Sequence, residues 1–205
     1  MTARRRRLAA AGALAALTAL AALLWKPYAQ AVLPAYRWAV ETLLPEFRVV
    51  RFELAHCPAE LCFVLDARPA RALVVGGKFL DSEVHAVLRM PAAQAVEHAV
   101  LVLGIALLWA AWRPGDLARI AVAALLALPI VELADLPVRL AGGAWGALLT
   151  STAGPFSSQP GGAALYLLAG ALQLGLRYPM MLVIVLAALR LAARPLAGAA
   201  PATAS

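Results

Sequence analysis

Long apolar stretches broken by single charges constrain this chain more than any other feature. A hydrocarbon core about 30 Å thick needs about 20 apolar residues per helical crossing, and runs of that kind recur along the sequence. The 205 residues are 63% hydrophobic and 14% charged, with a mean hydropathy of +0.81. That leaves too little polar surface to coat a water-soluble domain, which points to an α-helical integral membrane protein with about four transmembrane helices.

Four arginines, Arg4 to Arg7, precede an apolar run from Leu8 to Leu24. The run is longer than a signal-peptide core of about 7–15 residues, and Trp25-Lys26-Pro27-Tyr28 resembles an interface more than a cleavage site. Residues 1–25 are therefore expected to form an uncleaved signal-anchor helix, despite small residues at Ala29 to Ala31 that could be cut. A second span is expected from Ala92 to Trp112, closed by the turn Arg113-Pro114-Gly115-Asp116, and a third from Leu117 to Leu136. Residues 137–162 carry the breakers Gly142-Gly143, Gly154-Pro155 and Pro160-Gly161-Gly162 and are expected to form an outer loop. The apolar stretch Ala163–Ala193 exceeds one crossing, so it is either one long helix or an interfacial helix plus a span. Residues 195–205 are expected to be a disordered tail.

Residues 26–91 form a more polar insert. Leu33–Leu44 reads as a helix whose face Leu33, Tyr36, Val40 and Leu43 could lie on the membrane surface. Val50, Phe52 and Leu54 alternate with Arg51 and Glu53, the period of a half-buried strand. Phe63–Leu65, Leu73–Val75 and Val84–Leu88 are further short strand candidates, giving a small, mostly antiparallel sheet.

The net charge of +7 does not gather into the aromatic-interleaved basic stripe that nucleic-acid binding requires, so no nucleic-acid partner is expected. With four spans, Arg4–Arg7, Arg113, Arg119, Arg190 and Arg194 all fall on one side. Lys and Arg near span ends favour the cytoplasm, so both termini are expected inside a bacterial inner membrane and residues 26–91 outside it.

The cysteines, Cys57 and Cys62, flank Pro58-Ala59-Glu60-Leu61 between two strand candidates. Across a tight hairpin on an oxidising side, a structural disulfide is expected. Thiol exchange, or soft-metal binding with His56, stays open as an alternative reading of the pair.

Ionisable side chains inside spans are rare and face a partner or a cavity. At 1.5 Å per residue, His98 lies about 22 Å from Arg113, Glu132 about 20 Å from Arg119, and Arg177 about 20 Å from Arg190. Glu97, His98, Glu132, Asp135 and Arg177 thus share one level, and Arg177 is expected to pair with Glu132 or Asp135. The layer is either a structural lock or a polar pocket. Pro179 and Pro129 beside it are expected to kink their helices.

Ser151, Ser157 and Ser158 lie outside any Gly-x-Ser-x-Gly, and His-Glu-x-x-His, P-loop and dinucleotide fingerprints are absent. No catalytic residue, cofactor or metal site is therefore assigned. Leu24-Trp25-Lys26-Pro27, Leu43-Leu44-Pro45-Glu46-Phe47 and Gln173-Leu174-Gly175-Leu176-Arg177-Tyr178-Pro179, set in this layout, resemble the small integral membrane proteins encoded beside bacterial exosortases. The resemblance implies an accessory or scaffold role beside a membrane partner in protein export or sorting. The alternative is a membrane-embedded enzyme or a thiol- or metal-handling factor, using the cysteine pair or the Glu97/His98/Glu132/Arg177 layer.

Overall fold

The computed structural model describes residues 3–58, 60–75, 78–113, 117–152 and 160–193. The turn at Pro114-Gly115-Asp116, Gly76-Gly77, Gly154-Pro155, Ser157, Ser158, Arg194 and the tail 195–205 lie outside the described residues. Helix α1 covers Ala3–Leu43. Strands β1 (Phe47–His56), β2 (Leu61–Pro69), β3 (Leu73–Val75), β4 (Lys78–Leu80) and β5 (Ala86–Pro91) follow. Then come α2 (Ala93–Trp112), α3 (Leu117–Thr152), α4 (Pro160–Ala171) and α5 (Arg177–Ala192), the last two joined by a π-helical turn at Leu172–Leu176. Four helical segments are long and apolar enough to cross a membrane: Ala11–Leu43, Ala93–Trp112, Leu117–Thr150 and Pro160–Ala192.

Two sequence expectations about helix ends are corrected here. The first helix, expected to end at Trp25, does not stop there, because α1 runs unbroken through Pro27 and Pro34. At 1.5 Å per residue its 41 residues span about 60 Å, twice a hydrocarbon core. The face expected to lie on the membrane surface is instead turned to the core, with Tyr36 and Val40 fully buried and Leu33 and Leu43 packed partly buried against it. The outer loop expected at 137–162 is also largely absent, since α3 continues through Pro137, Gly142 and Gly143 to Thr152.

Those glycines form a packing surface rather than a break. Gly142 and Gly146 stand one turn apart, the spacing that lets helix backbones approach closely. A Cβ on Gly142 would meet the carbonyl oxygen of Leu165 at 2.5 Å, and one on Gly146 would meet the Tyr166 ring at 2.6 Å. Gly162 of α4 makes the reciprocal approach to the Trp145 indole, at 2.4 Å from a Cβ. Helices α3 and α4 therefore run antiparallel in close contact.

The long last stretch bends once. Gly175 has φ +115°, the left-handed region that glycine enters without penalty. Its carbonyl accepts the Arg177 N–H, and Pro179, four residues on, has no N–H to offer it. The kink expected beside Arg177 thus has two causes, the proline removing a helical bond and the glycine absorbing the turn. Helix α3, by contrast, passes through Pro129 as one continuous helix.

The sheet has strand order β1-β2-β5, antiparallel throughout, while β3 and β4 form a separate hairpin. The expected strands are present, and Lys78–Leu80 is an additional one. A bulge between Val49 and Arg51 shifts the register, so Val50 is exposed while Phe52 is buried. The alternation expected to put both on one face is broken by that extra residue. On the outer face, the hydrogen bond from Arg51 holds the Glu53 carboxyl below its ordinary range.

Cys57 and Cys62 are joined by a disulfide, their Cα atoms 6.0 Å apart. Cys62 stands opposite Ala55 in the ladder, so the bridge runs diagonally across the hairpin end. The Cys57 N–H closes the turn on the Glu60 carbonyl at 2.7 Å. At the same end, the Ala92 N–H bonds to the Leu61 carbonyl at 2.9 Å, fixing the start of α2 to β2.

Buried apolar side chains fall into two clusters. One joins the inner face of the sheet (Phe52, Phe63, Leu65, Met90) to α1 (Tyr36, Val40, Leu44) and the second half of α3 (Leu136 to Leu149). Its aromatic contacts include Tyr36 edge-on to Phe63 at 5.3 Å and Phe47 edge-on to Trp145 at 4.9 Å between centroids. The other packs α2 (Val102, Ala106, Ala110), the first half of α3 (Ile120 to Val131) and α5 (Met181, Val185, Leu189). The boundary falls between Ala95 and Val102 on α2 and between Val131 and Leu136 on α3.

Candidate functional site

The polar layer occupies that boundary. His98 is completely buried, as is Asp135. His98 Nδ1 lies 3.1 Å from Glu132 Oε2, and Nε2 lies 2.9 Å from Asp135 Oδ2. With a carboxylate oxygen at each ring nitrogen, the arrangement suits an imidazolium donating at both ends. Glu132 and Asp135 can both reach it because a spacing of three residues puts them on one face of α3.

Glu132 accepts from α1 as well. The Tyr28 hydroxyl donates to Oε1 at 2.6 Å, and the Tyr36 hydroxyl donates to Oε2. The two tyrosines are eight residues apart, a little over two helical turns, so they approach the same carboxylate from above and below. Arg139, one turn beyond Asp135, has Nη1 3.6 Å from Asp135 Oδ2 and donates to Gln94 Oε1 at 2.8 Å. Two acids and two bases thus balance in a space closed to solvent, as buried charges require. Asp135 Oδ1 and Arg139 Nε are the atoms in this set left without a hydrogen-bond partner.

A second polar group sits on the outside of the bundle, one residue along α2. Glu97 Oε1 lies 3.5 Å from Arg177 Nη2 and accepts from the Tyr178 hydroxyl at 2.9 Å. The Arg177 guanidinium stacks on the Tyr178 ring, 4.5 Å from its centroid, and bonds to its hydroxyl. The Glu97 side chain is 36% exposed and that of Arg177 16%.

The five residues expected at one level are therefore at one level but in two groups. His98, Glu132 and Asp135 come together; Glu97 and Arg177 come together apart from them. The expected pairing of Arg177 with Glu132 or Asp135 is corrected, because those carboxylates are occupied by His98, the tyrosines and Arg139, while the bend at Gly175 presents Arg177 to Glu97. Sequence reasoning missed Tyr28, Tyr36 and Gln94 as members of the layer. The available signal was the demand of Glu132 itself, since a carboxylate at that depth needs donors and the tyrosines of α1 are the nearest in register.

What the inner layer can do chemically is limited by access. A hollow of about 170 Å³ beside it is lined by Tyr28, Val32, Tyr36, Pro129 and Glu132 among others, but His98 and Asp135 do not line it. Among the described residues, no group of three or more His, Cys, Asp or Glu side chains is arranged to hold a metal ion. Comparison with protein families, with curated proteins and with solved structures finds no match to this chain.

Proposed function

We propose that this protein is a multi-pass scaffold of the bacterial inner membrane that presents its disulfide-closed sheet on the extracytoplasmic side and holds a membrane partner there. The resemblance noted from the sequence sets that partner among the machinery for exporting and sorting proteins. The observation that carries the scaffold reading is the closure of the inner layer: His98, Glu132 and Asp135 bond to one another and to Tyr28, Tyr36 and Arg139. Used in this way, these charged groups lock three helices together and direct most of their hydrogen-bonding capacity to one another.

Arg113 and Arg119, at the bundle end away from the sheet, support cytoplasmic termini. The Cys57–Cys62 bond supports an oxidising compartment for the sheet. Because both sulfurs are used in that bond, it favours a staple over thiol or metal handling.

Affinity purification of the tagged protein from native membranes, with sizing of the intact complex, tests the reading. A stoichiometric membrane-protein partner released by substitutions on the exposed sheet face is expected. Recovery of the chain alone from gently solubilised native membranes overturns it. Reporter fusions should place both termini in the cytoplasm, and an active periplasmic reporter at either end rejects that orientation.

A further inference from the structure

An apolar groove of about 470 Å³ runs along the outside of the bundle between α1 and α2. Its floor and walls are Ala21, Ala22, Val96 and Leu101, with the Trp25 ring and the Glu97 carboxylate at one end. Ala21 and Ala22 on α1 and Ala93 on α2 leave a furrow because their side chains are too short to fill the space beside the larger Trp25, Val96 and Leu101.

The charges around its head are specific. Glu97 is held through Oε1 by Arg177 and Tyr178, and the Lys26 ammonium lies over the Trp25 ring, 5.6 Å from its centroid. The head of a furrow that is otherwise hydrocarbon thus carries one acid, Glu97, with Arg177 bonded to it and Lys26 stacked on the Trp25 that lines the same groove. Along α2, Glu97 stands about 6 Å below the helix start and Arg113 about 24 Å further on, so Glu97 lies just inside the sheet-side edge of a core about 30 Å thick, where long basic side chains reach toward the headgroups.

We propose that this groove binds one phosphatidylethanolamine molecule of the sheet-side leaflet. An acyl chain fills the furrow, the phosphate meets Lys26 and Arg177, and the ammonium donates to Glu97. The presence of an acid as well as bases selects this headgroup: phosphatidylglycerol brings no cation to Glu97, and a choline headgroup has no N–H to donate. Charge-assisted hydrogen bonds at the edge of a low-dielectric region are strong enough to discriminate. The site rests on the reading that the four helices cross a bilayer.

Native mass spectrometry of the full chain, extracted in mild detergent and titrated with equimolar dioleoyl phosphatidylethanolamine and phosphatidylglycerol, tests it. One retained phosphatidylethanolamine is expected, preferred roughly tenfold, the scale of one charged hydrogen bond. Glu97→Gln, nearly isosteric, should bring the preference close to even. Ala22→Trp should fill the furrow and abolish retention of both lipids while the thermal transition persists. Equal binding of the two lipids by the unaltered chain, no retained lipid, a second copy of the chain in the lipid's place, or retention surviving Ala22→Trp overturns the site. A chain found in the soluble fraction of lysed cells instead overturns the membrane reading on which the site stands.

Discussion

His98 on α2 and Asp135 on α3 are joined through Nε2 and Oδ2 at 2.9 Å, with neither side chain exposed to solvent. The contact couples two helices at the place where the apolar packing of the molecule changes hands from one cluster to the other.

Truncating one partner leaves the other as an uncompensated buried charge. His98→Ala is expected to cost about 3–5 kcal/mol, read as a lowered thermal transition of the detergent-solubilised protein. Asp135→Ala should be damaging as well, and the double substitution should fall well short of the sum. Additive losses would show that the two side chains do not act as a pair.

Tyr28→Phe and Tyr36→Phe keep the rings and remove only the hydroxyls that donate to Glu132. Each is expected to destabilise by about 1.5–3 kcal/mol, the range for hydrogen bonds to charged groups. If α1 is held by Glu132, limited proteolysis should cut the insert faster in the double variant; unchanged cleavage would place the grip of α1 elsewhere.

Neighbouring glycines on α3 should differ sharply. A Cβ at position 142 meets backbone at 2.5 Å, whereas at position 143 it meets the Leu88 methyls at 3.2 Å, which can swing aside. Gly142→Ala is therefore expected to cost about 1–3 kcal/mol, and Gly143→Ala much less. Equal melting temperatures for the two variants would contradict the close approach of α3 and α4.

At Gly175 an added Cβ would meet nothing within 4 Å, so any penalty there is conformational. Gly175→Ala should cost about 1–2 kcal/mol through its left-handed backbone, and Gly175→Asn less, because asparagine tolerates that region. The reverse order, or no loss in either, would mean that the bend does not depend on the glycine.

The disulfide closes a loop of only a few residues. Replacing both cysteines by alanine should lower stability by about 2 kcal/mol on the chain-entropy relation for so short a loop, with the four helices intact by circular dichroism. Loss of the helical signal itself would make the staple essential to the bundle and not only to the hairpin.

The apolar spans were legible because a bilayer crossing demands length and composition together, and both are written into residues such as Leu101 to Ala111. The level of His98, Glu132 and Arg177 was legible too, because rise per residue is nearly constant. Partnership was not, since it depends on the angle at which each residue leaves its helix, and the turn at Gly175 rotates Arg177 toward Glu97. Helix ends were misplaced for a different reason. Proline and glycine end helices in water, where a freed carbonyl can be solvated, but Pro27, Pro34, Pro137 and Gly142 lie in helices whose packing continues past them. Val50 failed because a single inserted residue inverts the facing of everything before it, and alternation alone does not reveal an insertion.

The Ala92–Leu61 hydrogen bond and the charged layer beneath it have a mechanical meaning. The sheet has no flexible tether on that side: β5 enters α2 almost without a linker, and the next two turns of that helix are bonded to α3 through Gln94 and His98, while α1 is held to the same Glu132 by Tyr28 and Tyr36. Tilting the sheet against the helices would require pulling opposite charges apart where no water can replace them. The sheet is therefore a stiff handle, and a load placed on it is delivered to the middle of the bundle instead of being lost in a hinge.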